Sequence, residues 1–455
     1  MRIMRALIAG FLSMLLICGI RRADADDNGT FVLVDRHGNT IGSSVFTSLN
    51  YYGAGIYQGT LKGTTKVGLF NKNGEKIEMR LPTGYKLEEL ILKRDTKRNV
   101  TTMPDDALIV VSHLGLHGIV DKRGKFLIAP EYDSIRYLGG KIYFLTKTVP
   151  NTSQRQSIFF DVETGRRSKE PFTTERYNFG PVGEGRIAFE TPPTRDMPHG
   201  GWSNPKHGYC DIDHNIIIPA IYDWVGGFKD GLAIVRVSRS SINSEKMTAQ
   251  NASSPSRNVY IDKTGKMIEP EIEPVSLFDK NGLAIAARAT NPGVVGLINR
   301  KFEFVMEPAY ETINQVAAEA FAGRPSNHKP IVLISTTGKK MFDFPDTVTN
   351  VEWYNGPGSV DPGFMVTEEK DHNSKIPEGH RDHNSLMDMS GKTVIPPKYY
   401  LEPPRDGLVV ATAGFKKNRT CGVMNCDGEF LIPLQDAFFS LTEPDRLVKS
   451  TSGNK

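Results

Sequence analysis

The stretch GIVDKRGKFLIAPEYD, residues 118–133, contains two short apolar runs separated by a polar turn. Both runs are rich in residues that favour β-strands, and Asp121 is followed three positions later by Gly124. An Asp or Asn side chain accepts hydrogen bonds from nearby backbone N–H groups, and glycine adopts the left-handed conformation that a short hairpin loop requires. The stretch therefore predicts a β-hairpin whose turn spans Asp121 to Gly124.

This turn pattern recurs along the chain between apolar runs. Complete copies are formed by Asp35 and Gly38, Asn71 and Gly74, Asp121 and Gly124, Asp262 and Gly265, Asp388 and Gly391, and Asn425 and Gly428. Less regular copies begin at Asp161, Asp211, Asn299 and Ser335. The first positions of successive copies are 36 to 53 residues apart. Such a spacing indicates a tandem repeat of about ten units.

Two further features accompany the turn in most units. A Tyr follows the second apolar run at Tyr132, Tyr222, Tyr310 and Tyr399, and we expect it to pack on the neighbouring unit. A third short apolar run then follows a glycine, as in GRIAFE from Gly185 and GLAIVRV from Gly231. Each unit is therefore predicted to contain at least three β-strands.

The repeats predict an all-β fold of tandem hairpins, arranged as an open curved array or as propeller-like rings. Propellers usually hold about 4 to 8 blades, so about ten units favour an open or partly closed array. One segment departs from the β pattern: INQVAAEAFAG, Ile313–Gly323, has apolar residues at helical spacing and predicts a short helical insert.

In the order strand, Asx turn, strand, Pro-x-Tyr-Asp bend and glycine-led strand, the chain resembles the WG-repeat family of mostly bacterial exported proteins. The resemblance covers nearly all of residues 30–435. The Trp-Gly pair that defines the family is absent, and its position is occupied by His117-Gly118, His207-Gly208, Val67-Gly68, Val295-Gly296 and Cys421-Gly422. The chain is thus identified as a diverged member. The resemblance implies a β-repeat architecture and, in general terms, protein interaction, and it brings no catalytic residues.

The N-terminal residues are typical of a signal peptide. Basic Arg2 and Arg5 precede an apolar run from Ala6 to Ile20, and Ala23-Asp24-Ala25 suits cleavage before Asp26. Residues 1–25 are therefore predicted to be removed, which leaves residues 26–455 as the repeat region in the periplasm or outside the cell. An N-terminal membrane anchor is less favoured because the apolar run is shorter than the roughly 20 residues that span a bilayer. Lipid attachment at Cys18 is a further alternative.

The charge of the chain argues against nucleic acid as a partner. The full chain carries 56 Lys and Arg against 52 Asp and Glu, for a net charge of +4. Loss of residues 1–25 removes four Arg and one Asp, which brings the net charge to about +1. A nearly neutral chain without a long basic segment lacks the positive surface that phosphate backbones require.

Cys210, Cys421 and Cys426 remain after cleavage. In an oxidising compartment Cys421 and Cys426 could pair as a disulfide across one hairpin. The alternative, equally open at this stage, is that all three are buried thiols. In neither case do disulfides hold the repeats together.

The connections between units vary most in length at one place, between the glycine-led strand and the next Asx hairpin. They are long at residues 191–206, 238–258 and 367–384. Equivalent connections of a repeat array project on one side, which predicts a binding face, with 191–206 as its favoured part. The alternative is that long polar loops are tolerated because surface insertions cost little entropy, and this is favoured for 238–258. The candidate binding residues are Arg195, Met197, His199 and Trp202 in the first connection, followed by Trp224, Trp353 and Tyr354.

No catalytic motif or cofactor site is evident, and no metal site is predicted. The loop DHNSKIPEGHRDHN, residues 371–384, contains histidines and aspartates, but their spacing matches no known ligand pattern. Two functions are therefore considered. The first is an exported scaffold that binds a protein or envelope component through its loops. The alternative is a hydrolase or lyase that acts on an envelope polymer with side chains converging from several repeats.

Overall fold

The computed structural model describes most of the repeat region as β-structure. The described residues are 29–53, 56–78, 81–91, 108–121, 123–173, 178–193, 204–238, 256–317, 320–325, 330–354, 363–369, 382–388, 390–404, 407–414, 419–443 and 446–451. These ranges contain 37 strands and no α-helix, and every strand pairing is antiparallel. The prediction of an all-β fold of hairpin repeats is confirmed. The two predicted segments 1–25 and 26–455 are not tested, because residues 1–28 lie outside the described ranges.

Within the described ranges the strands form eight open sheets. The six-stranded and seven-stranded sheets each contain two repeat units, so the sheets comprise ten units in all. Unit one contains β36 (Phe438–Glu443), β37 (Arg446–Thr451) and β1 (Thr30–Asp35). Unit two contains β2 (Phe46–Gly53), β3 (Ile56–Leu61) and β4 (Val67–Phe70). Unit three contains β5 (Lys86–Ile91), β6 (Leu108–His113), β7 (Leu116–Asp121) and β8 (Phe126–Tyr132). Unit four contains β9 (Ser134–Gly139), β10 (Ile142–Thr148), β11 (Arg155–Asp161) and β12 (Phe172–Thr173). Unit five contains β13 (Asn178–Gly183), β14 (Arg186–Glu190), β15 (His207–Cys210) and β16 (Ile216–Tyr222). Unit six contains β17 (Trp224–Val225), β18 (Leu232–Ser238), β19 (Ser256–Asp262) and β20 (Met267–Ile268).

The remaining units follow the same order of strands. Units seven and eight contain β21 (Ile272–Pro274), β22 (Ala284–Arg288), β23 (Asn291–Ile298) and β24 (Phe304–Ala317), which continues into unit eight with β25 (Ala320–Pro325), β26 (Val332–Ser335) and β27 (Lys340–Asp343). Units nine and ten contain β28 (Val348–Tyr354), β29 (Gly363–Glu369), β30 (Asp382–Asp388) and β31 (Thr393–Ile395); and β32 (Tyr400–Leu401), β33 (Leu408–Ala413), β34 (Thr420–Asn425) and β35 (Phe430–Gln435).

The Asx turn joins the third and fourth strands of a unit. In unit six, Oδ1 of Asp262 accepts hydrogen bonds from the N–H groups of Thr264 at 2.8 Å and Lys266 at 3.0 Å. Gly265 has a φ of +89°, which L side chains rarely adopt. The same two contacts, to the second and fourth residues after the Asx, are made by Asp35, Asn71, Asp121, Asp211, Asn299, Asp388 and Asn425.

Each unit buries its apolar side chains against the next unit rather than within itself. The described residues form ten apolar clusters, and each cluster joins side chains of two consecutive units. Tyr132 and Tyr222 are buried in such clusters, which confirms that these tyrosines pack on the neighbouring unit. A single unit therefore lacks a core of its own and depends on its neighbours.

The first and last parts of the chain share one sheet. Strand β1 pairs with β37 from Thr30 opposite Thr451 to Asp35 opposite Arg446. In addition, Val34 and Leu447 belong to the same cluster as Leu408 and Val423 of unit ten. The order of packing therefore returns from unit ten to unit one, although each individual sheet is open.

The helical insert predicted at Ile313–Gly323 is wrong. Residues up to Ala317 continue β24, and Ala320–Pro325 form β25, which pairs back on β24. The apolar residues Ile313, Val316 and Ala320 are buried between units seven, eight and nine. The pairing of β24 with β25 contains a register shift between Gln315 and Ala317, which breaks the alternation expected of a regular strand.

We expect Leu447→Ala to lower the free energy of unfolding by about 2–4 kcal/mol, because it removes a fully buried side chain where β37 holds unit ten to unit one. The urea midpoint measures the effect. Leu114→Ala is the matched control, since Leu114 is 90% exposed and its loss should leave the midpoint unchanged. Equal midpoints for both variants would contradict a structural role for the β1–β37 pairing.

The Asx turn gives a second prediction. Asp262→Ala should lower the free energy of unfolding by about 1 kcal/mol, because two backbone N–H groups lose their acceptor. Asp262→Asn keeps the acceptor, as Asn299 and Asn425 do in their own turns, and should retain most of the stability. Thermal unfolding of the two variants distinguishes the hydrogen bonds from the charge.

Candidate functional site

The three long connections leave equivalent corners of their units. Each joins the second strand to the third, and the strand ends on either side are paired: Glu190 with His207, Ser238 with Ser256, and Glu369 with Asp382. We call this side of the array the loop side and the side with the Asx turns the turn side. Because consecutive units pack in equivalent ways, the three connections begin on the same side.

Described residues fix the base of the first connection, which joins β14 to β15. The N–H of Thr191 donates to the carbonyl oxygen of Lys206 at 2.8 Å, and the N–H of Lys206 donates to Thr191 Oγ1 at 3.3 Å. Nζ of Lys206 forms an ion pair with Oδ1 of Asp223 at 2.5 Å. The connection therefore starts from a base held to the bend that leads into unit six.

His207 occupies the position at which the family motif has Trp. It lies opposite Glu190 on one side and Tyr222 on the other. Burial lowers the pKa of His207 below its usual value, although the charges of Glu190 and Asp223 act in the opposite direction and that of Lys206 acts with burial. Its imidazole therefore contributes to the base of the connection as a mainly neutral ring near pH 7.

A row of aromatic and polar side chains crosses unit six next to this base. Trp224, Arg236 and Asn258 are cross-strand neighbours on β17, β18 and β19. Nε of Arg236 donates to Oδ1 of Asn258 at 3.3 Å, and Nδ2 of Asn258 donates to the carbonyl oxygen of Pro274 at 3.3 Å. Trp224 is half-buried and packs on the cluster between units six and seven. The row thus presents polar groups beside the bases of connections 191–206 and 238–258.

The turn side has a different role, because ion pairs cross from unit to unit there. Lys263 pairs with Glu184 at 2.8 Å, and Arg300 pairs with Asp230 at 2.9 Å. The hydrogen bond from Lys263 lowers the pKa of Glu184, and that from Arg300 lowers the pKa of Asp230. Gly183 allows the backbones to approach, since a Cβ there would lie 2.1 Å from the carbonyl oxygen of Phe228. The turn side therefore holds neighbouring units together.

The structure locates some of the predicted binding residues and leaves others undescribed. Arg195, Met197, His199 and Trp202 lie outside the described residues. Trp353 and Tyr354 are in β28 opposite Phe364 and Gly363, but their side chains are likewise outside the described part. Of this set, only Trp224 has a described side chain, and it lies next to the bases of the first two connections.

The disulfide considered for Cys421 and Cys426 is absent. Both cysteines are unbonded and buried. Cys421 packs in the cluster between units ten and one, whereas Cys426 packs in the cluster between units nine and ten. The two thiols therefore belong to opposite faces of one sheet, which prevents them from bonding. Burial raises the pKa of Cys426 to about 11 and that of Cys210 to about 12, so both remain protonated thiols at neutral pH.

The described residues contain neither a metal-binding cluster nor a membrane-spanning helix. No group of three His, Cys, Asp or Glu residues is arranged to hold a metal ion within the described part of the chain. The loop at 371–381 lies outside the described residues. Nor do the described ranges contain a helix that is long and apolar enough to cross a bilayer.

Sequence comparison identifies the repeat. The family model described as "WG containing repeat" matches residues 118–142 and 208–238. The match supports the predicted WG-repeat resemblance over these two segments of the chain. The matched ranges include the hairpins of units three and five and the glycine-led strand β18, and both begin at the glycine of a His-Gly pair. No curated protein matches the chain significantly.

Several solved structures show a distant likeness to this chain. A eukaryotic initiation factor shares 9% identity over 85% of this chain and 96% of its own, with a TM-score of 0.41. Porphyromonas gingivalis dipeptidyl peptidase 4 shares 9% identity over 86% of this chain, which spans 62% of the peptidase, with a TM-score of 0.37. The β-propeller domain of the Trilobed protease from Pyrococcus furiosus shares 10% identity over 87% and 98%, with a TM-score of 0.25. These scores carry no argument about activity.

The repeat pattern of the sequence does not indicate that Lys206, Asp223, Arg236 and Asn258 lie in one region. Asp223 belongs to the recurring Tyr-Asp bend, and Lys206 is the last residue of a long connection. The sequence therefore indicates the place of each residue within its repeat unit. Their mutual contacts depend on strand register and on a cross-connection ion pair, neither of which the repeat period specifies.

His207 gives a prediction about pH. Since its pKa is lowered in the folded protein, the unfolded chain binds a proton first, and stability should fall as the pH drops below about 6.5. His207→Phe removes this titration, so the stability difference between wild type and variant should change between pH 7.5 and 5.5 in favour of the variant. Urea unfolding at several pH values tests this. A difference independent of pH would contradict the assignment.

Proposed function

We propose that this protein is an exported scaffold whose loop side binds another protein or a component of the cell envelope. The proposal depends chiefly on one observation: connections 191–206 and 238–258 start from equivalent corners of adjacent units five and six. Binding surfaces of repeat proteins commonly consist of such equivalent loops on a rigid frame.

The packing of units five and six supports this use of the loops. A shared apolar cluster joins the two units and includes Tyr209, Val235 and Val259 at less than 1% exposure. Lys263 and Glu184 add an ion pair on the turn side. The bases of the two connections are thus held at a fixed separation, which lowers the entropy cost of binding a partner through both loops.

The chemistry of the region favours a protein or a neutral polymer over nucleic acid. Lys206 is paired with Asp223, and Arg236 is bonded to Asn258, so these cations are not gathered into a positive surface. Arg195, Met197, His199 and Trp202 of the first connection are residue types that contribute strongly to protein interfaces. Trp224 extends this set onto the described frame.

Export is part of the proposal and rests on the N-terminal sequence. Residues 1–25 have the basic start, apolar run and small-residue cleavage site of a signal peptide. Processing would place the repeats in the periplasm or outside the cell, and attachment through Cys18 is the alternative. Mass spectrometry of the protein after export tests this: an N-terminus at Asp26 supports cleavage, whereas a lipid on Cys18 supports the alternative.

A loop exchange tests the binding face. Replacing residues 192–205 with Asn-Gly keeps Thr191 and Lys206 at the base and should abolish capture of the partner from an envelope extract. The matched control shortens residues 370–381 in unit nine in the same way, and it should retain capture. Urea midpoints establish that both variants fold. Capture by the first variant at the level of the wild-type protein would contradict the proposal.

A further inference from the structure

Arg419 lies on the loop side where unit ten meets unit one. Its guanidinium carbon lies 5.0 Å from the ring centroid of Phe438 in β36. Nη2 donates to Oγ1 of Thr412 in β33 at the long distance of 3.4 Å. Nε is buried and has no hydrogen-bond partner among the described residues. A buried guanidinium donor without an acceptor is unfavourable, so this position requires an explanation.

Three other cations on the loop side have a carboxylate partner, whereas Arg236 bonds to Asn258 and Arg257 to the carbonyl oxygen of Pro270. Lys147 at the end of β10 pairs with Glu131 at 2.9 Å, and Lys206 before β15 pairs with Asp223 at 2.5 Å. Arg288 at the end of β22 is the closest counterpart, because it also lies over an aromatic ring, that of Phe304, at 4.6 Å. Arg288 pairs with Glu307 at 2.8 Å. Among the described residues, no carboxylate forms an ion pair with Arg419.

One exposed aromatic ring contacts Arg419, and a second belongs to the strand that pairs with the strand of Thr412. Phe438, beneath the guanidinium, is 43% exposed, and Tyr400 in β32 is 45% exposed. Tyr400 is directly opposite Thr412 in the pairing of β32 with β33, and Thr412 is the residue that Arg419 contacts. The guanidinium is therefore placed among large apolar surfaces that a ligand could cover.

We propose that Arg419, Thr412, Tyr400 and Phe438 form a binding site for a carboxylate that carries an aromatic or large apolar group. The guanidinium presents N–H donors as a planar fork that matches the two oxygens of a carboxylate. The ring of Phe438 holds the fork in place, and the exposed rings contact the apolar group of the ligand. A small organic acid and the C-terminus of a peptide with an apolar last residue share this chemistry.

This inference is separate from the proposed function. The site uses units ten and one, whereas the proposed binding face uses units five and six. Loss of the connection 192–205 should leave carboxylate binding unchanged, and loss of Arg419 should leave partner capture through that connection unchanged.

The first test is calorimetric titration of the full chain with 3-phenylpropionate and with its uncharged amide. The acid should bind, and the amide should bind at least about tenfold more weakly because it cannot form the charged pair. A tripeptide ending in Phe, with a free or an amidated C-terminus, provides the second arm. Tighter binding of the free peptide than of the small acid indicates a peptide ligand, and similar binding of both indicates a small acid.

Variants assign the binding to Arg419. Arg419→Gln should weaken binding of the acid at least about tenfold, whereas Arg288→Gln removes the counterpart that already has a carboxylate and should have no effect. Phe438→Leu keeps an apolar side chain but removes the ring, and it should weaken binding about threefold or more. Equal binding of acid and amide, no binding of either probe, or unchanged binding by Arg419→Gln would overturn the proposal. If Arg419→Gln does not fold, the comparison of acid with amide and the Phe438→Leu variant decide it.

Discussion

The structure depends on contact between the sheets of consecutive units. Each unit has apolar residues on its sheet but no second layer to cover them, so it buries them only against a neighbour. The cluster between units five and six illustrates this, since Ala188 and Tyr209 come from one unit and Ala233 and Val259 from the next. A terminal unit would leave one face open to water. The pairing of β1 with β37 completes unit one from both ends of the chain, and unit one then packs on unit ten through a shared apolar cluster.

The Asx turn is the local device that makes such stacking possible. It returns the chain within a few residues, and its acceptor satisfies backbone N–H groups that would otherwise be unpaired. The turn glycine also permits close packing: a Cβ on Gly265 would lie 3.1 Å from a side-chain carbon of Ile218 in the preceding unit. Turn geometry and packing between units therefore select the same residue at this position.

The two sides of the array differ in chemistry. On the turn side, ion pairs such as Lys263 with Glu184 link neighbouring units, and the connections are short. On the loop side, the long connections begin, and Lys147, Lys206 and Arg288 pair with carboxylates there. The frame is therefore held together on one side and free to vary in length on the other, a common division in repeat proteins that bind partners.

The sequence by itself determined the local structure: the hairpins, their Asx turns and their repeat period. These features depend on residues close together in the chain, such as Asp121 and Gly124, and their physical requirements are visible in the residue types. It did not determine the hairpin at Ile313–Gly323, because small apolar residues suit a helix or a crowded strand equally well until their neighbours are known. Only the tertiary structure decided that Cys421 and Cys426 are on opposite faces of a sheet, that Lys206 pairs with Asp223, and that no carboxylate of the described residues pairs with Arg419. Each of these depends on strand register or on contact between distant units, which a local pattern does not specify.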